Sequence, residues 1–187
     1  MNTRDLVLIA LFTAIIIVLG LIPPVTLGFI PVPITAQSMG VMLAGCILGA
    51  KRGALSYALL VVLVAMGLPV LAGGNGGLHV LMGVTGGYIY GWIFGSFVTG
   101  LLAEKLVKPG QSALHQSVGF FLASIVGGIG VVYAIGMPWV TMVTGTPFDK
   151  VLIGSLAFIP GDLIKAAIAT LAARAVMVGY PLLPKRA

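Results

Sequence analysis

Charge is what this chain has least of. It carries ten Lys and Arg and four Asp and Glu in 187 residues, 7% in all, where a soluble domain carries about 25%. No polar segment is long enough to fold outside a bilayer, and 59% of the residues are hydrophobic. The composition therefore indicates a single integral membrane domain over residues 1–187. Cysteine is nearly absent as well. Cys46 stands alone in an apolar run, which excludes an internal disulfide or a cysteine metal site and leaves it as a small packed hydrophobe. His79 has no second His, Cys or carboxylate at ligand spacing, so no metal is expected. No Gly-x4-Gly-Lys-Ser/Thr phosphate loop occurs, which excludes an ATPase of that type within the chain. The net charge of +6 does not point to nucleic acid, because nearly all the bases sit at the ends of apolar segments, where they set membrane orientation.

Apolar runs, by contrast, are plentiful. They predict an all-α membrane protein with six transmembrane helices at about 6–22, 36–50, 54–66, 85–103, 117–136 and 151–178. The first follows Arg4 and Asp5 as the core of a signal peptide would. It has no convincing small-x-small cleavage site before Pro23-Pro24, so it is expected to remain as a helix. Ala10 and Ala14, four apart, share a face that another helix can approach closely, within this chain or in a partner. From Pro23 to Thr35, Pro31-Val32-Pro33 forbids helix, and an extended apolar loop is expected, either a lid or a connector. Gln37 is the one strongly polar group of the second span, which Lys51 and Arg52 end.

After the third span, Gly73-Gly74-Asn75-Gly76-Gly77 surrounds a lone amide with glycines. Such backbone can turn sharply or approach a ligand closely. In the fourth span Gly87, Gly91 and Gly95 make a smooth packing face, while Tyr88 and Trp92 suit either a membrane interface or the mouth of a cavity. Residues 137–150 are expected as a connector. The last span, some 28 residues or about 42 Å of straight helix, exceeds a hydrocarbon core of about 30 Å. Pro160 either kinks it or marks a new helix start. Arg4, Lys51, Arg52, Lys105, Lys108, Lys185 and Arg186 fall on one side and Lys150 on the other. Both termini are accordingly expected in the cytoplasm, with the protein multi-pass in the inner (cytoplasmic) membrane.

Phe158-Ile159-Pro160-Gly161-Asp162-Leu163-Ile164-Lys165 is the most informative stretch, because it sets a carboxylate and an ammonium inside an apolar segment. A charge at the centre of a membrane helix costs roughly 2.5 to 3.5 kcal/mol, so these mark a site by default. Three residues apart, Asp162 and Lys165 share a helix face and can neutralise each other. They can also open to a small polar molecule, the carboxylate accepting N–H groups and the ammonium donating to a carbonyl or carboxylate, with Asn75 above and Tyr88 or Trp92 over an apolar ring. An intramembrane hydrolase is the enzyme alternative, since Ser96, Ser117, Ser124 and Ser155 lie in or near spans. It lacks a histidine within a span and a Gly-x-Ser-x-Gly elbow. A channel would spread polar residues along several helices; here they gather at one level.

The ordered set Val32-Pro33-Ile34-Thr35-Ala36-Gln37, Gly67-Leu68-Pro69-Val70, Ala72-Gly73-Gly74-Asn75-Gly76-Gly77, Thr85-Gly86-Gly87-Tyr88 and Pro160-Gly161-Asp162-Leu163-Ile164-Lys165 resembles the BioY family. These are the biotin-capturing S components of energy-coupling factor (ECF) transporters. The resemblance spans nearly the whole chain. It implies the six-helix S-component fold, a pocket for biotin as transported ligand with no cofactor, and partners that supply energy, namely a transmembrane coupling protein and ATPase subunits. It implies substrate-binding roles for Asn75, Asp162, Lys165, Tyr88, Gly74 and Gly76. Asp162 would accept a ureido N–H, Asn75 meet the ureido group, and Lys165 balance Asp162 or the ligand. Ala10 and Ala14 match the small-residue face that S components present to the coupling protein. Val84 replaces a proline frequent before Thr-Gly-Gly-Tyr, and Ala36 a larger apolar residue, departures that bear on loop geometry. An S component for another small vitamin, and a homo-oligomer working without a module, are the alternatives within this reading.

Overall fold

The computed structural model describes residues 2–26, 28, 32–180 and 182–183. Pro31 of the proline loop and the C-terminal bases Lys185 and Arg186 lie outside them. Every regular element among the described residues is helical: α1 (Thr3–Gly20), α2 (Gln37–Leu48), α3 (Ala50–Ala65), α4 (Leu78–Met82), α5 (Gly86–Leu106), α6 (Ala113–Ala123), α7 (Val132–Thr144), α8 (Phe148–Ser155) and α9 (Ile159–Gly179). A π-helical stretch, Ser124–Val131, joins α6 to α7, and a 3-10 turn, Leu156–Phe158, joins α8 to α9. Among the described residues, three continuous helical runs are long and apolar enough to cross a membrane, Thr3–Gly20, Ala113–Thr144 and Phe148–Gly179.

The chain dictates most of these boundaries. Asn2 caps α1, accepting from the Asp5 N–H at 2.9 Å while its own N–H donates to the Asp5 carboxylate at 3.2 Å. Gly49, at φ +82°, breaks the apolar run between α2 and α3. The break falls before Lys51 and Arg52, so both bases open α3 instead of closing α2. The first N–H of α3, on Ala50, donates to Glu104 Oε1 of α5 at 2.8 Å. A side chain on Gly100 would strike the Gly49–Ala50 backbone, which is how α5 comes so close at that point.

α5 is the central helix, packed against α2, α3, α6, α7 and the π-helical stretch. Its glycine face does the packing expected of it: Gly87 lies under Trp139, Gly91 against Val132, and Gly95 against Val132 and Gly127. The segment expected as a connector from residue 137 is instead helical to Thr144, with Pro138 inside α7. Packing outweighs the proline penalty there. Trp139 seats on Gly87 and donates Nε1–H to the Gly83 carbonyl at 2.9 Å, and Val140 is buried. α7 ends at Gly145, which is left-handed at φ +71°. At the last apolar run the structure places Pro160 in the first turn of α9, where a missing N–H costs nothing.

Two ends of the bundle differ in chemistry. At one, Arg52 Nε pairs with Asp5 at 2.9 Å and its Nη1 donates to the Leu182 carbonyl at 3.1 Å. Arg4 stacks over the Tyr180 ring there, 5.3 Å from its centroid, and donates to the hydroxyl at 3.1 Å. These contacts gather the start of α1, the start of α3 and the end of α9. The starts of α2, α5 and α9 and the glycine loop converge at the other end, around a cavity.

Candidate functional site

The cavity holds about 360 Å³ and opens between the loop segments at 32–38 and 71–85 and the helices beneath them. Most of its lining is apolar or aromatic. Its two charged groups, Asp162 and Lys165, stand where α9 begins. Asp162, 6% exposed, accepts from Lys165 Nζ on Oδ1 at 2.8 Å and from the Tyr133 hydroxyl on Oδ2 at 2.6 Å. Lys165 also donates to Ser38 Oγ at 2.9 Å, and Ser38 in turn donates to the Thr35 carbonyl at 3.1 Å. The ion pair on one helix face is therefore formed, and both members face the cavity.

Neither member is saturated. A carboxylate offers about four acceptor sites and an ammonium three donors. Two sites of Asp162 and two N–H groups of Lys165 are engaged. Acceptor capacity on the acid and one donor on the base are left for a molecule that presents adjacent N–H and C=O groups.

Asn75 comes from the glycine loop. Gly73 and Gly74, at φ +75° and +72°, make a turn closed by the Leu71 N–H donating to the Asn75 carbonyl at 2.9 Å. Asn75 Nδ2 donates to the Ala72 carbonyl at 2.8 Å, and the residue lines the cavity. Tyr88 and Trp92, one turn apart on α5, form an aromatic wall that Tyr133 and Phe158 extend. The Tyr88 and Tyr133 rings meet edge-on at 6.1 Å, and Tyr133 and Phe158 at 6.5 Å. The Tyr88 hydroxyl and Ser155 Oγ share a hydrogen bond of 3.3 Å. Asn75, Tyr88, Asp162 and Lys165, distant in sequence, thus line one cavity. Gly74 and Gly76 do not line it. Gly74 supplies the turn, and Gly76 lies so close to the Leu68 carbonyl that any side chain would collide.

Ala10 and Ala14 are on the exposed face of α1, between Leu6, Val7, Leu11 and Val18, rather than packed within the chain. Tyr133, Ser38 and Gln37 also line the cavity, and sequence reasoning missed them or left them without a role. His79 also lines the cavity; no group of three or more His, Cys, Asp or Glu side chains stands together among the described residues. As for the serines, Ser124 Oγ lies 3.4 Å from Cys46 Sγ, Ser117 and Ser155 donate to carbonyls within their own helices, and Ser96 Oγ is buried without a partner. The contact of Ser112 with His115 Nδ1, at 2.7 Å, is part of the exposed cap of α6.

Comparison with known proteins bears on family and fold. The model of the BioY family matches residues 1–181. A protein of Rhizobium etli named biotin transporter BioY is 62% identical over 187 residues, covering 100% of both chains. One of Rhodobacter capsulatus with the same name is 45% identical, covering 92% of this chain and 93% of the relative. Among solved structures, the S-component for biotin from an ECF-type ABC transporter superposes with a TM-score of 0.88 at 37% identity, over 95% of each chain. With a family match across almost its whole length and relatives of this closeness, the chain belongs to the BioY family.

Proposed function

We propose that this protein is the biotin-capturing S component of an ECF-type uptake transporter. The observation that carries the proposal is the unsaturated Asp162–Lys165 pair at the base of a mostly apolar cavity. A ureido ring presents N–H donors beside a carbonyl, the complement of a carboxylate with spare acceptor sites next to an ammonium with a spare donor. In this reading the ureido group sits between Asp162 and Lys165 with the Asn75 amide over it, and Tyr88 and Trp92 cover the fused rings. Gly74 and Gly76 serve the site through the shape of the loop.

The distribution of bases between the two ends of the bundle supports the membrane arrangement we propose. With six crossings, by α1, α2, α3, α5, α6–α7 and α8–α9, the positive-inside rule would put Arg4, Lys51, Arg52, Lys105 and Lys108 in the cytoplasm with both termini, and the cavity mouth outside. Biotin enters from the outer side and is released inward when partner subunits, a transmembrane coupling protein and a pair of ATPases, act on the whole subunit. The exposed face of α1 around Ala10 and Ala14 is the surface we assign to the coupling protein, since small side chains between larger apolar ones admit a crossing helix.

Calorimetry of the detergent-purified protein with biotin tests the proposal, run beside Asp162→Asn and Lys165→Ala variants that remain monodisperse. Saturable heat with the parent and none with either variant is expected. A monodisperse parent that gives no heat with biotin refutes the biotin assignment and directs the search to other small vitamins.

A further inference from the structure

Gln37 has no exposed surface, and its side chain makes three hydrogen bonds, all to main-chain atoms of other segments. Its Nε2 donates to the Ile16 carbonyl of α1 at 3.2 Å and to the Val70 carbonyl at 2.9 Å. Its Oε1 accepts from the Ala72 N–H at 2.8 Å. Both N–H groups are used, and the amide has only one sensible orientation, since a flip would set oxygen against two carbonyls. The surroundings are cut to fit. A side chain on Gly20 would stand 2.6 Å from Nε2, and the Gln37 carbonyl is held by the Tyr57 hydroxyl at 2.7 Å. Two of the three bonds end on the segment that carries Asn75, whose own amide is tied to the Ala72 carbonyl.

We infer that Gln37 is the positioning residue of the glycine loop: its amide pins Val70 and Ala72 to the first two helices and thereby holds Asn75 over the cavity. This rests on the biotin reading only for what Asn75 meets. A glutamine is suited to the task because it alone, among side chains of this size, offers two donors and an acceptor in one plane without charge. Glutamate keeps the volume but turns an oxygen toward two carbonyls.

The test uses the full chain in detergent with Gln37→Glu, Asn75→Ala and the double variant. Two readouts separate the loop from the ligand. In ligand-free protein, hydrogen exchange of peptides covering 70–77 is expected to accelerate in Gln37→Glu, with the remaining helices unchanged and Asn75→Ala close to the parent. In calorimetry, Gln37→Glu is expected to weaken biotin about ten- to a hundredfold, and the double variant to bind no more weakly than the more affected single, because Gln37 acts through Asn75. Parent-like exchange in residues 70–77, or effects that multiply in the double variant, would overturn the inference. A parent that binds no biotin defeats the biotin reading alone, and the exchange comparison still decides the role of Gln37. If Gln37→Glu does not stay monodisperse, Gly20→Ala, which presses a methyl on the same amide from α1, is read in its place.

Discussion

Removing one member of the Asp162–Lys165 pair and removing both should differ in their consequences for stability but share one consequence for binding. In Lys165→Met the Asp162 carboxylate is left nearly buried, supported by the Tyr133 hydroxyl at 2.6 Å and by its place in the first turn of α9. Breaking a buried pair from one side costs about 3 to 5 kcal/mol. The lower end applies here, because the side chains are 15% and 8% exposed toward a cavity that admits water and Tyr133 still donates. About 3 kcal/mol corresponds to a fall in Tm of roughly 6 to 12 °C for a chain of this size. In Asp162→Asn/Lys165→Met no charge is left behind, and replacing a whole buried pair by neutral groups is close to neutral for stability, within about 1 kcal/mol of the parent. Thermal unfolding in detergent should therefore order the proteins as parent and double variant together, with the single variant well below. Calorimetry should find no biotin binding in either variant. A double variant as unstable as the single one would mean that the pair is a structural clamp, and parent-like affinity in either would remove it from the site.

Tyr133→Phe deletes the shortest bond to Asp162 while leaving the ring stack with Tyr88 and Phe158; a hydrogen bond to a charged group contributes about 1.5 to 3 kcal/mol to folding, so Tm in detergent should fall by roughly 3 to 12 °C, and an unchanged Tm would refute the assigned bond. Ala14→Trp places a large ring on the exposed face of α1; biotin binding should be unchanged while copurification of the coupling protein and ATPase subunits is lost, and equal copurification would exclude that face as the interface.

What was legible in the sequence follows from how each feature is encoded. Asp162 and Lys165 could be found because charge in an apolar segment is expensive wherever the chain goes, and the Gly73-Gly74 turn because only glycine adopts its backbone freely. The helical content and the glycine face of α5 were similarly local. The end of α7 was not. Pro138 argues for a break, and what holds the helix together is long-range packing: Trp139 seats on Gly87, 52 positions earlier, and bonds to the Gly83 carbonyl, while Val140 is buried. Tyr133 and Ser38 escaped for the same reason: a tyrosine in an apolar run reads as an interfacial aromatic until α7 and α9 are packed side by side and its hydroxyl meets Asp162. Gln37 was noticed as polar, but its role depends on Ile16, Val70 and Ala72, which no spacing along the chain brings together.

The Asp162–Lys165 contact at 2.8 Å looks like a competitor of any ligand, yet in the proposed site its arrangement favours capture. Most of the cost of bringing two charges out of water is met on folding, by their mutual contact, by the Tyr133 and Ser38 hydroxyls and by the helix terminus at Asp162. In the reading proposed above, a ureido group docked beside the pair would use acceptor sites and a donor that folding leaves over, and would not need to break the pair. Side chains held from behind lose little freedom when the ligand arrives, and that saving appears as affinity. The loop above follows the same logic. Asn75 is tied to the Ala72 carbonyl, and Ala72 to Gln37, so under the inference drawn above binding would order the ligand rather than the loop.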